Sequence, residues 1–490
     1  MRKSAIMLIF LFFLNPYMAA KEVDFSTDNP PASIYNSIPD NHPQQTFRTT
    51  CDDCRLEIDL ENEIRSLLDI TPVHVTLDEC LDVAVENNFN LASSGHIYRQ
   101  RKYEYGDSLS NFLPNAGLNF QMLKNDGRAL VRGRLISGFH ETTLTFSGNI
   151  SHDLTQGGRQ IFLAKSANQL KKASHHDLKF TKAEVLLNTS LNYYKALQSK
   201  LEIEIYIKNY GERLAQLKLV KDQEAAGLGT KFDVMRAENE KLDAEQSLLD
   251  AANRFRLNQA SLANVMGVDV SVPLTPIESE VGLTELLEAD YAVEKLYDLA
   301  LDYREDLKSL KSEIKSMKNI KTSIYTEFFP NAQINYQYAY QGTTETGLGP
   351  HGVLTVDASI PIGNRLGFST VNRAKAQQEI INSTQNILKQ RLQDIKEAIV
   401  GSYYSSKISK EKAGIAKRQI RYASESVRLA ELRQQAGEGI LIDVIQAQSM
   451  KTQTRIAYVV TVIEYNISQI QLLFDSGIIS LANILKNYNP

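Results

Sequence analysis

Two hydrophobic periods alternate along this chain. In the period of two, Leu144, Phe146 and Ile150 alternate with Thr143, Thr145, Ser147 and Asn149. Further on, Ile334, Tyr336, Tyr338 and Tyr340 alternate with Gln333, Asn335, Gln337 and Ala339, and Leu354, Val356, Ala358 and Ile360 with Thr355, Asp357 and Ser359. Such alternation predicts strands with one apolar face. The expected pairs lie near Ala116–Met122 with Thr142–Leu154, and near 332–362. The other period is heptad-like. Ile203, Ile207, Tyr210, Leu214 and Leu217 are spaced 4-3-4-3, and Ile381, Leu388, Leu392, Ile395 and Ile399 repeat the seam, which is coiled-coil spacing. Arg159 to Glu224 holds no proline and one glycine, Gly211. A helix of about 60 residues is roughly 90 Å long, which requires neighbours in a bundle or tube. A further helix is predicted over Leu77–Leu109, with Thr76 as N-cap and Glu79 completing a capping box.

The elements are written twice. Phe112-Leu113-Pro114-Asn115-Ala116 returns as Phe328-Phe329-Pro330-Asn331-Ala332, an offset of 216 residues. Ala226-Gly227-Leu228-Gly229, followed by Asp233-Val234, returns as Ala436-Gly437-Glu438-Gly439, followed by Asp443-Val444, an offset of 210. Two landmarks in the same order imply an internal duplication. The expected organisation is a signal peptide over 1–20, a partly irregular extension over 21–75 and a first repeat over 76–268. A Pro-containing linker over 269–289, a second repeat over 290–477 and a tail over 478–490 complete it. Each repeat reads helix, two strands, very long helix, Gly turn, helix.

Strand counting bounds the architecture. Four strands cannot close a membrane barrel, whose smallest examples have about eight. Open edges in lipid would leave backbone N–H and C=O groups unsatisfied. If these strands span a membrane, several chains share one barrel. Three chains supply twelve strands, and two supply eight, whose interior side chains would fill. Phe120, Leu144, Phe146, Ile150, Ile334, Tyr336, Tyr338, Tyr340, Leu354 and Val356 are the candidate lipid-facing positions. An ordinary half-buried soluble sheet alternates identically, so a periplasmic coiled-coil scaffold without a conducting barrel is the competing reading.

Arg2 and Lys3, the apolar run Ala5–Leu14 and the small pair Ala19-Ala20 have the order of a secretory signal, and no cysteine near that cut suggests lipid anchoring. The net charge of −4 and pI of about 6.1 give no basic excess, so no nucleic-acid partner is expected. Of the three cysteines, Cys51 and Cys54 have pair spacing and Cys80 stands apart; a structural bridge or no role is expected, and no metal site is completed. His175-His176 and His152-Asp153 have no partners in register for metal or triad chemistry, and Lys165, Lys171, Lys172 and Lys179 read as a solvated helix face. Lys124, Arg128, Arg132 and Arg134 are expected in a long hairpin loop, extracellular if the strands span the membrane. No P-loop and no dinucleotide turn appears, so any energy must come from a partner, and no catalytic constellation favours an exported hydrolase; neither enzyme activity nor a cofactor is expected.

The duplicated halves, the Pro-Asn strand entries, Gln156-Gly157-Gly158-Arg159 at the strand-to-helix switch and the paired Gly turns together resemble the TolC family of outer-membrane efflux and secretion channels, over roughly residues 76–477. The resemblance implies a mainly α fold with a transmembrane β-barrel: a homotrimer with a twelve-stranded barrel in the outer membrane and a coiled-coil tunnel in the periplasm. It implies an exit duct for a tripartite efflux pump or type I secretion system. The implied partners are a periplasmic adaptor, an inner-membrane pump of RND, ABC or MFS type, and outer-membrane lipid. Ala226, Gly227, Leu228 and Gly229, with Ala436, Gly437, Glu438 and Gly439, match the family's adaptor-docking tips. Asp443, and Asp233 in the first half, match carboxylates that constrict the tunnel entrance.

Overall fold

A computed structural model describes residues 72–131, 134–154, 158–287, 292–343, 347–360 and 366–485. The signal-like segment, the extension through 71 with Cys51 and Cys54, and Gln156, Gly157 and Arg132 lie outside the described residues. Strand β1 (Val73–Val75) precedes helices α1 (Leu77–Asn87) and α2 (Phe89–Ser110). The hairpin β2 (Asn115–Val131) and β3 (Arg134–Asp153) leads into α3 (Arg159–Ala225) and α4 (Lys231–Met266). After β4 (Leu274–Pro276) the series repeats: α5 (Val293–Tyr303), α6 (Glu305–Tyr325), β5 (Asn331–Thr343), β6 (Gly347–Ser359), α7 (Phe368–Gln435) and α8 (Leu441–Asp475), then α9 (Leu481–Leu485).

The structure alters four expectations. First, Leu77–Leu109 is two helices. Asn88 ends α1 and caps α2, its Oδ1 accepting from the amides of Asn90 (3.0 Å) and Leu91 (3.1 Å), while its Nδ2 donates to the Val265 carbonyl. Arg304 makes the matching break between α5 and α6. The Thr76–Glu79 capping box forms as the spacing predicts. Second, the first hairpin is longer than expected. Lys124, Arg128 and Arg134 lie within paired strands rather than in a loop, because backbone pairing continues past the end of the apolar alternation. Third, the linker is not merely a spacer. β4 pairs in parallel with β1, and Asn466 and Gln469 of α8 bond the backbone of Gly282, Thr284, Leu286 and Leu287. Fourth, Leu214 is exposed, and Arg213 takes the buried place in the α3 seam.

The helices pack as a row. α4 lies on α3, α3 on α8 and α8 on α7; nearer the sheet, α2 lies on α3, α3 on α6 and α6 on α7. Ile203 packs with Leu248, Ala251 and Phe255 of α4, and Ile395 and Ile399 pack with Leu296, Ala300, Leu307 and Leu472. The largest core gathers Leu77, Leu81, Tyr193, Leu197, Leu262, Leu274 and Ile463 around the small β1–β4 sheet. Cys80 is fully buried there, and burial pushes its thiol up to about 12, so the thiol stays protonated at neutral pH and is a poor nucleophile.

Candidate functional site

The four long strands form one antiparallel sheet in the order β2-β3-β5-β6. Its register sorts side chains by face. Phe120, Phe146 and Tyr340 occupy one rung; Ala116, Ile150, Tyr336 and Leu354 another; Leu118, Gly148, Tyr338 and Gly352 a third. Met122 pairs with Leu144, and Ile334 with Val356, on the same face. All ten strand positions named from the sequence therefore share one side, and on it Phe120 is 67% and Leu354 66% exposed. The opposite side carries Asn119, Gln121, Thr145, Ser147, Asn149, Asn335, Gln337 and Gln341. A soluble sheet would bury its apolar side in a core; here the apolar side is left open. In the single chain the four strands make an open sheet rather than a closed barrel, with β2 and β6 each paired along one side only.

Sheet and helices are bolted together at Glu327, in the short turn (Thr326–Phe328) before β5. Its carboxylate accepts from Thr370 Oγ1 (3.0 Å) in the first turn of α7 and from Arg373 in the second, and lies 3.7 Å from Arg159, the first residue of α3. Burial raises the Glu327 pKa, but these donors outweigh burial and hold it below the ordinary value. Deeper in the row, the His176 ring has a partner that the sequence did not reveal: Nδ1 lies 2.5 Å from Glu305 Oε2 on α6.

At the far end the two long helices reverse through matching turns. Gly227 (φ 72°) and Gly437 (φ 75°) adopt the left-handed conformation, which glycine reaches without steric cost. The Leu228 amide donates to the Gln223 carbonyl and the Glu438 amide to the Arg433 carbonyl, closing the helix ends. Ala226, Gly227 and Leu228 are exposed, as are Ala436, Gly437 and Glu438, and Leu228 is 84% exposed. Gly229 and Gly439 are partly covered. A Cβ on Gly439 would meet the Gln434 amide nitrogen at 2.9 Å.

The two aspartates after the turns behave differently. Asp233 is spent on its own helix: its Oδ2 accepts from the Thr230 amide (3.3 Å) and hydroxyl, and its amide donates to Thr230 Oγ1 (3.2 Å). In the second repeat Ile440 stands at the N-cap with no side-chain cap bond, and Asp443 is exposed. Above the turns, buried Arg213 ties the repeats together. It donates to the Ile445 carbonyl (3.3 Å), Gln448 Oε1 (3.2 Å) and Ser449 Oγ (2.8 Å) of α8, with Glu240 of α4 at 3.9 Å. Burial lowers the Arg213 pKa, Glu240 and Glu212 oppose that, and guanidinium stays charged throughout. Lys451 bonds Glu212 at 2.6 Å beside it.

Comparison with known proteins agrees with this geometry. Residues 80–268 match the family model for outer membrane efflux proteins. No curated protein sequence gives a significant match. Among solved structures, the outer-membrane channel OprN superposes with a TM-score of 0.73 at 15% identity, over 82% of this chain and 89% of that one. The Campylobacter jejuni outer membrane channel CmeC gives 0.72 at 14% identity, over 82% and 85%. The Vibrio cholerae outer membrane protein VceC gives 0.70 at 16% identity, over 82% and 96%. Residues 80–268 thus resemble the outer membrane efflux proteins, and the chain through both repeats shares the fold of these outer-membrane channels.

Proposed function

We propose that three copies share one twelve-stranded outer-membrane barrel and extend a helical tube into the periplasm, as the exit duct of a tripartite efflux pump or type I secretion system. The sheet carries this reading. It has one continuous apolar face, one amide- and hydroxyl-rich face and two unpaired edges. Pairing β6 of one copy with β2 of the next satisfies both edges in lipid and turns the polar face toward a wet interior. A partner-binding scaffold would need other protein to cover Phe120, Tyr336 and Leu354, which the described residues leave open.

The exposed tips, Ala226, Gly227 and Leu228 with Ala436, Gly437 and Glu438, are where a periplasmic adaptor docks, with Gly229 and Gly439 shaping the turns. Asp443 supplies one carboxylate per copy to the entrance, a ring that favours cations. Asp233 supports its helix instead, since its carboxylate is already engaged. Energy comes from an inner-membrane pump, of RND, ABC or MFS type, and the duct itself performs no covalent chemistry.

The test is fractionation of a Gram-negative host expressing the full chain, followed by electrophoresis of the detergent extract without boiling. A urea-resistant trimer in the outer membrane is expected, and Tyr338→Asp is expected to abolish it by placing a charge on the lipid side. A soluble periplasmic species, or a normal trimer yield from Tyr338→Asp, would overturn the lipid-facing assignment.

A further inference from the structure

We propose that a basic groove between α7, α8 and α3, on the outside of the periplasmic tube, binds the carboxylate-bearing peptides of the cell wall; the inference rests on the outer-membrane duct proposed above. From Lys407 to Arg421, α7 carries six cations, Lys407, Lys410, Lys412, Lys417, Arg418 and Arg421, against the single acid Glu411, in a chain of net charge −4. Lys410 is paired with Glu285 of the linker. Lys417 and Arg421 are exposed, stand one helical turn apart on one face, and have no ion pair or side-chain hydrogen bond among the described residues. Like charges at that spacing repel, so a face kept only for solubility would interleave acids. The two cations line a groove of about 480 Å³ with Gly414, Ile420 and Tyr458, and no acid lines it. Through Ile420 and Tyr458 the groove adjoins a second hollow, which holds Arg455 of α8 and Lys208 of α3, also unpaired among the described residues. Glu204 and Glu280 stand in that second hollow, where it meets the linker.

The fold does not need these charges. At the 210-residue offset, Lys417, Arg421 and Arg455 correspond to Ile207, Gly211 and Glu245, which serve the same pair of helices in the first repeat. The groove also faces outward. The linker and the small β1–β4 sheet add a layer to the same side of the helical row, and three such layers turned inward would fill the bore of a conducting tube. The four cations share one level, 14 to 19 residues from the tip turns, or about 20–30 Å. Lys417 lies 49 residues, about 75 Å, from the sheet end of α7. A tube that reaches so far from the outer membrane toward an inner-membrane pump crosses the cell wall, a polymer whose peptide stems carry free carboxylates. Lysine and arginine side chains free of internal partners suit such groups, the guanidinium through paired hydrogen bonds. A docking helix would instead need large apolar anchors. The exposed ones on α7, Ile408, Ile415 and Tyr422, fall on another face by helical spacing, and the groove offers only half-buried Ile420 and Tyr458.

The experiment is cosedimentation of the detergent-solubilised, full-length trimer with purified cell-wall sacculi. The native chain is expected to sediment with them at low salt and to be released near 1 M salt, where charges are screened beyond about 3 Å. Sacculi whose carboxylates have been converted to amides are expected not to retain it. Lys417→Gln, Arg421→Gln and Arg455→Gln in one chain should lower retention about tenfold while the unboiled trimer stays intact, because charge-assisted contacts are lost without a buried partner being stranded. Lys417→Arg should keep full retention. Equal retention of the triple variant and the native chain, or no retention of the native trimer on untreated sacculi, would overturn the site and leave the duct standing. A triple variant that still sediments but no longer supports export would assign the groove to a protein partner instead. Absence of an outer-membrane trimer in the native chain would remove the duct, and this site with it.

Discussion

The two tips are copies of one turn that have diverged in what their aspartate does. In the first repeat Thr230 and Asp233 close a capping box, and the carboxylate serves its own helix. In the second, Ile440 occupies the capping place and Asp443 points into solvent with no cap to make. Backbone geometry is preserved to within a few degrees, φ 72° against 75° at the turning glycine. The two copies thus share the reversal, which packing requires, while only one carboxylate is engaged by its own helix. A residue matched by sequence position alone would have been given the same role in both halves.

Mutations can widen or erase that difference. The largest effect is expected from Gly227→Pro or Gly437→Pro. Proline cannot reach a positive φ, and it removes the amide that donates to Glu224 at 2.9 Å or to Gln434 at 3.1 Å. About 3 kcal/mol or more is lost locally, read as rapid proteolysis at the altered tip and failed export with the trimer retained. Next, Asp233→Ala is expected to cost about 1 kcal/mol of tip stability by opening the box, visible in amide exchange across the first turn of α4. Asp443→Ala should cost less there, yet lower the cation preference of reconstituted channels severalfold; equal behaviour of the two variants would erase the distinction. The smallest effect is the most pointed. Ile440→Thr would rebuild the first-repeat box in the second, adding about 0.5 kcal/mol. By engaging Asp443 it should also reduce cation preference without removing any charge.

Much of this was legible in the sequence because period and face are local properties. Alternation from Leu144 to Ile150 and from Ile334 to Tyr340 identifies which side chains share a face, and the register places them together. The glycines at 227 and 437 mark the reversals because only a few residues turn a helix that way. What was missed depends on contacts between distant segments. Asn88 interrupts a continuous helical pattern because its amide reaches Val265, 177 residues away. Arg213 lies in the α3 seam because α8 supplies carbonyl and amide acceptors that no local pattern announces. Its one signal was a cation in register with Leu217 and Val220, where a hydrophobe was expected. Lys124 and Arg134 looked like loop residues because charge usually ends a strand, whereas hairpin pairing carries this one onward.

The Glu327 clamp has a mechanical consequence. It holds the first turns of α3 and α7 from a single carboxylate, so the long helices start from one anchored end. A rod of 67 or 68 residues extends about 100 Å from that anchor. Pivoting it by about 5° sweeps the far end through roughly 9 Å, several times the displacement of a residue near the sheet. Such a molecule is a lever with its fulcrum beside the sheet. Angular changes too small to disturb packing beside Glu327 become displacements of several ångströms at the tip, and Arg213, which ties α3 to α8 near that end, restrains the two helices against separating there.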